Sequence, residues 1–306
     1  MIKFFRSVPL ALSGLSLAFA ALGNLLRPYG EELRYACGII SAIILIIFVL
    51  KIVLDFPHAR EEWKTSASLS VLPTSTMALM LLCTYIKPII GIGAIFLWYI
   101  SVIAHVFIML LFIKRFVIRL NFNNVYPSWF IAFVGIVTVS VTAPDMGLHS
   151  VGQYAFYTGF LLYFVALAFI LIKVKKRIYV SEPIYITSAI FAAPMSLCIV
   201  GYFSSFEQQN EILVYFMLGT AIISYIFVSY IMIAKLLQAK FYPTYSAFTF
   251  PYVISAIAFR IGTVFLAERG IYFFAPFAYI TKWIAIAVVL YVLVRYIMFF
   301  RWLRKF

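Results

Sequence analysis

Two cations stand inside stretches that are otherwise uncharged: Arg260 at the end of AFTFPYVISAIAFR, and Lys282 within AYITKWIAIAVVLYVLV. A full charge among apolar residues at membrane depth is costly unless it is paired or wet, so each is a candidate for attracting an anion. For Arg260, the alternatives are snorkelling to headgroups or pairing with an outer acid such as Asp145, Glu207 or Glu211. For Lys282, a contact between subunits is an equal alternative. The three histidines, His58, His105 and His149, are neither mutually spaced nor accompanied by acids as a metal site or proton relay would require, and Cys37, Cys83 and Cys198 form no CxxC pair. No metal and no cofactor is therefore expected. Only ten Asp and Glu are present, without DxxxD, HxxxD or HExxH, which argues against a polytopic membrane enzyme, the most distant alternative. Ser181, Glu182 and Pro183 read as a helix start, with a role at a cytoplasmic mouth as the second reading.

The elements that must carry these residues follow from composition. The 306 residues are 65% hydrophobic and 11% charged, with a mean hydropathy of +1.07, which points to an all-α integral membrane protein. The net charge of +14 lies in short clusters between apolar runs, where it faces anionic headgroups of the lipid bilayer, and no nucleic acid is implied. Apolar runs predict ten spans near 7–26, 35–54, 68–86, 91–113, 127–145, 151–172, 184–203, 212–234, 243–266 and 273–299. The first resembles a signal peptide, but its proline and serines, and the need for a first span, argue for its retention. Alternate loops hold most of the Lys and Arg, which predicts both termini cytoplasmic and a multi-pass protein of the plasma (bacterial inner) membrane. Loops are short throughout, so residues 1–306 read as a single transmembrane channel or transporter domain.

The odd spans share an internal proline that the even spans lack, apart from Pro276 near the start of the last. Pro9, Pro73, Pro127, Pro194 and Pro251 each fall in one odd span, and hydroxyls gather there too: Ser13, Ser16, Thr74, Ser75, Thr76, Thr138, Ser140, Ser196, Thr249 and Ser255. A proline kinks its helix and frees a carbonyl that lipid cannot satisfy, so the odd helices are expected to face protein or water, with the five kinks lining a pore, and the even ones to face lipid. The chain thus reads as five tandem helical hairpins in a ring, with inner odd helices lining a central pore. Ser13, Ser16, Thr76, Thr138, Ser196 and Ser255 are the polar candidates for its wall. Close helix packing is the alternative use of such hydroxyls. An uncharged lining of weak donors suits permeation of small anions that must enter and leave quickly.

The segments VPLALSGLSLAF, LPTSTM, SEPIYITSAIFAAP and above all SAFTFP resemble the tellurite-resistance/dicarboxylate transporter (TDT) family. Its members include bacterial TehA, plant slow-type (SLAC) guard-cell anion channels, fungal malate carriers and sulfite exporters. The resemblance implies an anion channel or facilitative exporter, often a homotrimer with one pore per subunit, with small inorganic or dicarboxylate anions as partners. It also implies that a phenylalanine of the ninth span plugs the pore, and Phe250 stands at that position. A proton-coupled C4-dicarboxylate carrier, or a sulfite or tellurite efflux carrier, is the alternative within the family. Coupling usually needs an ionisable group in the path, and no Asp or Glu lies mid-way along an odd span.

Overall fold

The computed structural model describes residues 2–178, 186–233 and 240–303. The expected helix start at Ser181–Glu182–Pro183 and the basic residues Lys235, Arg304 and Lys305 lie outside these. The described elements are helical: α1 (Ile2–Ser7), α2 (Leu12–Leu26), α3 (Glu31–Leu54), α4 (Phe56–Glu62), α5 (Ser66–Val71), α6 (Pro73–Ile90) and α7 (Ile92–Phe112). They continue with α8 (Trp129–Val134), α9 (Val137–Thr142), α10 (His149–Lys175), a 3₁₀ stretch Ile186–Ala192, α11 (Ala193–Ser205), α12 (Glu211–Ile231), α13 (Ser246–Ala267) and α14 (Ala275–Leu303).

Among the described residues, eight helical stretches are long and apolar enough to cross a membrane. The segments expected as the first and fifth spans are built from shorter pieces, α2 with 15 residues and the pair α8 and α9 with six each. The interruption between α8 and α9 falls at Gly135 and Ile136, with no proline to mark it. There the backbone tightens to i→i+3 bonds, Thr138 N–H to Gly135 O and Val139 N–H to Ile136 O.

The five prolines act in two ways. Pro251 alone among them sits inside a continuous helix. Pro9 lies in the break between α1 and α2, Pro127 two residues before α8, Pro73 opens α6 and Pro194 is the second residue of α11. At a first turn the missing N–H has no carbonyl to serve and the fixed φ suits the helix, so four of the predicted kinks are restarts of the helix rather than bends within it.

Burial divides the spans sharply. In their most apolar windows, 72–89% of residues are buried in Ser66–Ile90, Ile186–Ser205 and Pro243–Ala267, against 22–33% in the five others. The exposed faces of those five carry large apolar side chains such as Ile43, Phe96, Phe107, Leu161 and Ile223, the dress of a surface in contact with hydrocarbon. Packing follows the same division. α2 lies against α6 and α13, α6 against α9, α9 against α11, and α11 against α13; α3, α7, α10, α12 and α14 pack on the outside of these.

Hydroxyls join the buried helices. Ser13 Oγ lies 2.7 Å from Thr74 Oγ1 (α2 to α6), Ser140 Oγ donates to Gly201 O at 2.9 Å (α9 to α11), and Ser196 Oγ lies 3.0 Å from Ser255 Oγ (α11 to α13). Ser70 donates to Ser128 at 2.6 Å, which ties α5 to the turn before α8. Where lipid offers no alternative partner, each such bond supplies about 0.6 kcal/mol, and small residues let the backbones approach.

Candidate functional site

A cavity of about 60 Å³ lies among the buried helices, and each expected odd span contributes to its wall. α2 and the residue before it give Ala11, Gly14 and Leu17; the α5–α6 segment gives Val71, Thr74 and Met77; α8 and the turn after it give Phe130, Ile131, Val134 and Gly135. The stretch before α11 and α11 itself give Thr187, Ile190, Ala193, Pro194 and Leu197, and α13 with its preceding turn gives Thr244, Ser246, Ala247, Phe250 and Pro251. Among the described residues that line it none is ionisable. Gly14 permits the approach of α2 to α13, because a Cβ there would come within 3.3 Å of Ser246 Oγ.

Phe250 is 8% exposed and turns its ring to this cavity. Its neighbour two positions earlier, Phe248, lines a different cavity on the opposite side of α13. The separation follows from helix geometry, since two residues advance the side chain by about 200°. Pro251, next to Phe250, withholds a backbone donor at this level of α13, and Pro194 faces the same space from α11.

The six polar candidates are placed otherwise than along the cavity wall. Ser13 spends its hydroxyl on Thr74 and Leu10 O; Ser16 and Ser41 exchange bonds, Ser16 Oγ to Ser41 O at 2.9 Å and Ser41 Oγ to Ser16 O at 2.7 Å. Thr76 Oγ1 lies 2.8 Å from His105 Nδ1, and Ser196 and Ser255 both donate to Ala192 O. Thr138 is buried with no hydrogen-bond partner for its hydroxyl. Apart from Thr138, these hydroxyls hold helices together. Of the prolines, Pro194 and Pro251 line the cavity; Pro9, Pro73 and Pro127 do not.

Three polar residues that sequence reasoning passed over do line it: Thr244, Thr187 and Ser246. The Thr244 hydroxyl is buried and has no partner. The signal was its position just before the SAFTFP segment, at the end of a span rather than in the middle where hydroxyls were sought.

The two cations stand apart from the cavity. Arg260 donates through Nη1 to Leu25 O at 3.2 Å, which caps the end of α2. Of the acids expected as its partners, Glu211 binds Arg269 at 2.7 Å, and among the described residues neither Asp145 nor Glu207 forms an ion pair with Arg260. Lys282 is buried. Its ammonium donates to Tyr29 Oη at 2.6 Å in the turn after α2 and lies 4.4–4.9 Å from the ring centroids of Tyr29, Tyr279 and Trp283. Ring faces offset a desolvated ammonium, so no acid is needed.

On the side of the molecule that holds α1 and α4, Lys51 is buried, bonds both oxygens of Glu62 at 2.7 and 2.9 Å and also donates to the Val8 carbonyl beside Pro9. Arg6 donates to Asp55 at 2.8 Å, and this bond and the Arg6 charge hold the Asp55 carboxyl below its ordinary value.

An assembly of long apolar helices, eight of them able to cross a membrane among the described residues, defines a polytopic membrane protein. The voltage-dependent anion channel (SLAC1) family model matches residues 4–297, and the chain belongs to that family. Its function is accordingly that of an anion channel or transporter. No curated protein matches the chain.

Proposed function

We propose that the chain conducts small anions passively through a central pore enclosed by five inner helices, closed at rest by the Phe250 ring. The observation that carries this reading is the pairing of a cavity whose described lining is neutral and mainly apolar with a buried phenylalanine that faces into it next to Pro251, a proline internal to its helix. A constriction of this kind is closed because it is dry, and no charge is needed to shut it. The cyclic order of helix contacts supports five hairpins and ten spans, with α2 and the α8–α9 pair as the first and fifth. Both termini cytoplasmic, residence in a plasma or bacterial inner membrane, and a homotrimer with one pore per subunit belong to the same proposal, carried by charge distribution and by the family resemblance.

The test is anion flux from liposomes with no added co-substrate. Phe250→Ala is expected to raise basal flux at least tenfold over wild type, and Phe250→Leu to raise it less, because Pro251 keeps the helix geometry while the plug shrinks. Flux in Phe250→Ala equal to wild type in a correctly folded protein would sink the gate. Flux that appears only with a proton gradient would favour the coupled carrier.

A further inference from the structure

A second cavity, of about 180 Å³, lies between the two last helices, and Met232, Tyr245, Phe248, Ala287, Val288 and Tyr291 line most of it. It shares no lining residue with the central cavity. Ala287 and Tyr291 are exposed on the outer face of α14, so the slot opens sideways, where a membrane helix meets hydrocarbon. Its walls are held in place: Tyr296 Oη donates to Pro243 O at 2.6 Å, pinning α14 to the turn that precedes α13.

At one end of this slot stands Arg295, one helical turn beyond Tyr291. Its guanidinium carbon is 5.7 Å from the Tyr291 ring centroid and 5.3 Å from that of Phe241. Among the described residues no carboxylate lies within ion-pair distance of it. Ring faces offset its charge but give its five N–H donors no strong acceptor. An apolar slot open to the bilayer, with an unpaired guanidinium at one end, is complementary to a molecule with a hydrocarbon chain and an anionic head. Arginine engages phosphate through two parallel bonds, and basic pockets between membrane helices suit lipid head groups of that charge.

We infer that this slot binds an anionic phospholipid of the bilayer, one acyl chain lying against Phe248 and Val288 and the phosphate resting on Arg295. The site does not depend on the proposed conduction path, although its chain packs on the same helix that carries Phe250. Ala287→Trp fills the slot from an exposed position, and Arg295→Gln removes the charge; neither alters a residue of the central cavity.

The experiment uses the purified full chain in nanodiscs of phosphatidylcholine doped with phosphatidylglycerol that carries a diazirine in one acyl chain. Label is expected on peptides containing Phe248 and Val288 and is displaced by unlabelled phosphatidylglycerol. Ala287→Trp is expected to lower it at least tenfold and Arg295→Gln to weaken the displacing affinity about tenfold, with Arg295→Lys between. In detergent, added phosphatidylglycerol is expected to raise the apparent Tm of wild type and not of Ala287→Trp, by linkage of binding to the folded state. Displacement by phosphatidylcholine as strong as by phosphatidylglycerol, displacement by oleate alone, or cysteine cross-links between copies at position 287 that exclude the label would each overturn the inference. Uniform label along α14, unchanged in both variants, would overturn it as well.

Discussion

Phe250 and Thr244 face the same cavity and present it with opposite chemistry, an apolar ring and an unpartnered buried hydroxyl. An orphaned buried hydroxyl costs about 1–3 kcal/mol, and removing it in favour of an isosteric apolar group is neutral or stabilising. Thr244→Val should therefore raise the apparent Tm slightly. In a Phe250→Ala background it should also lower anion flux severalfold, because the hydroxyl is a donor available to a passing anion. Stability and conduction moving in opposite directions would be the signature; a fall in both would make Thr244 a structural residue whose partner the cavity supplies. Phe248→Ala is the control at this scale, and flux close to wild type is expected, since that ring faces away from the central cavity. How much of this was legible differs by residue. Phe250 was legible only through the SAFTFP resemblance, because nothing in composition separates it from the other phenylalanines. Thr244 was missed because a residue beside a helix start gives no hint of which way it will face.

At the scale of elements, helix alternation was readable because lipid imposes it: an exposed helix must be apolar throughout, while a buried one can hold proline and hydroxyls. The direction of those hydroxyls was not readable. Ser13, Ser196 and Ser255 are on the right helices, but a side chain at a contact between helices and one at a lumen differ by a rotation that a pattern of residue types does not encode. The interruption at Gly135 was invisible for a related reason, since it comes from packing: a Cβ there would sit 2.9 Å from Met77 Sδ and 3.0 Å from His105 Cε1. The tie between α1 and the end of α3 gives a prediction with a definite sign. Arg6 holds Asp55 deprotonated below its ordinary value, so the tie is fully present above that value and is lost as pH falls through the lower, folded one. Apparent Tm should carry a constant contribution from this pair between pH 8 and about pH 5 and should lose it progressively below about pH 4. Asp55→Asn should lower Tm at neutral pH and remove that part of the acid dependence. An unchanged acid limb in Asp55→Asn would assign the dependence to another carboxylate.

For the whole molecule, the decisive quantity is the contrast between a chain of net charge +14 and a central cavity with no charge among its described lining residues. The two act at different ranges. Surface charge raises the local concentration of anions at the mouths, and its reach shrinks from about 10 Å at 0.1 M salt to about 3 Å at 1 M. The neutral lining offers weak donors such as Thr244 and cannot hold an anion tightly, which favours quick exit. Selectivity for anions over cations should then have a part that salt screens and a part that it does not. In Phe250→Ala reconstituted into planar bilayers, reversal potentials under a threefold chloride gradient should indicate anion preference at both 0.1 M and 1 M. The preference should be weaker at the higher salt. Neutralising Lys51 or Lys282 should not shift it, since each is committed within the protein, to Glu62 and to a ring of aromatics respectively. If the preference disappeared entirely at 1 M, surface charge alone would set selectivity and the lining would be a passive hole. If cations were preferred at either concentration, conduction of anions through this cavity would be wrong.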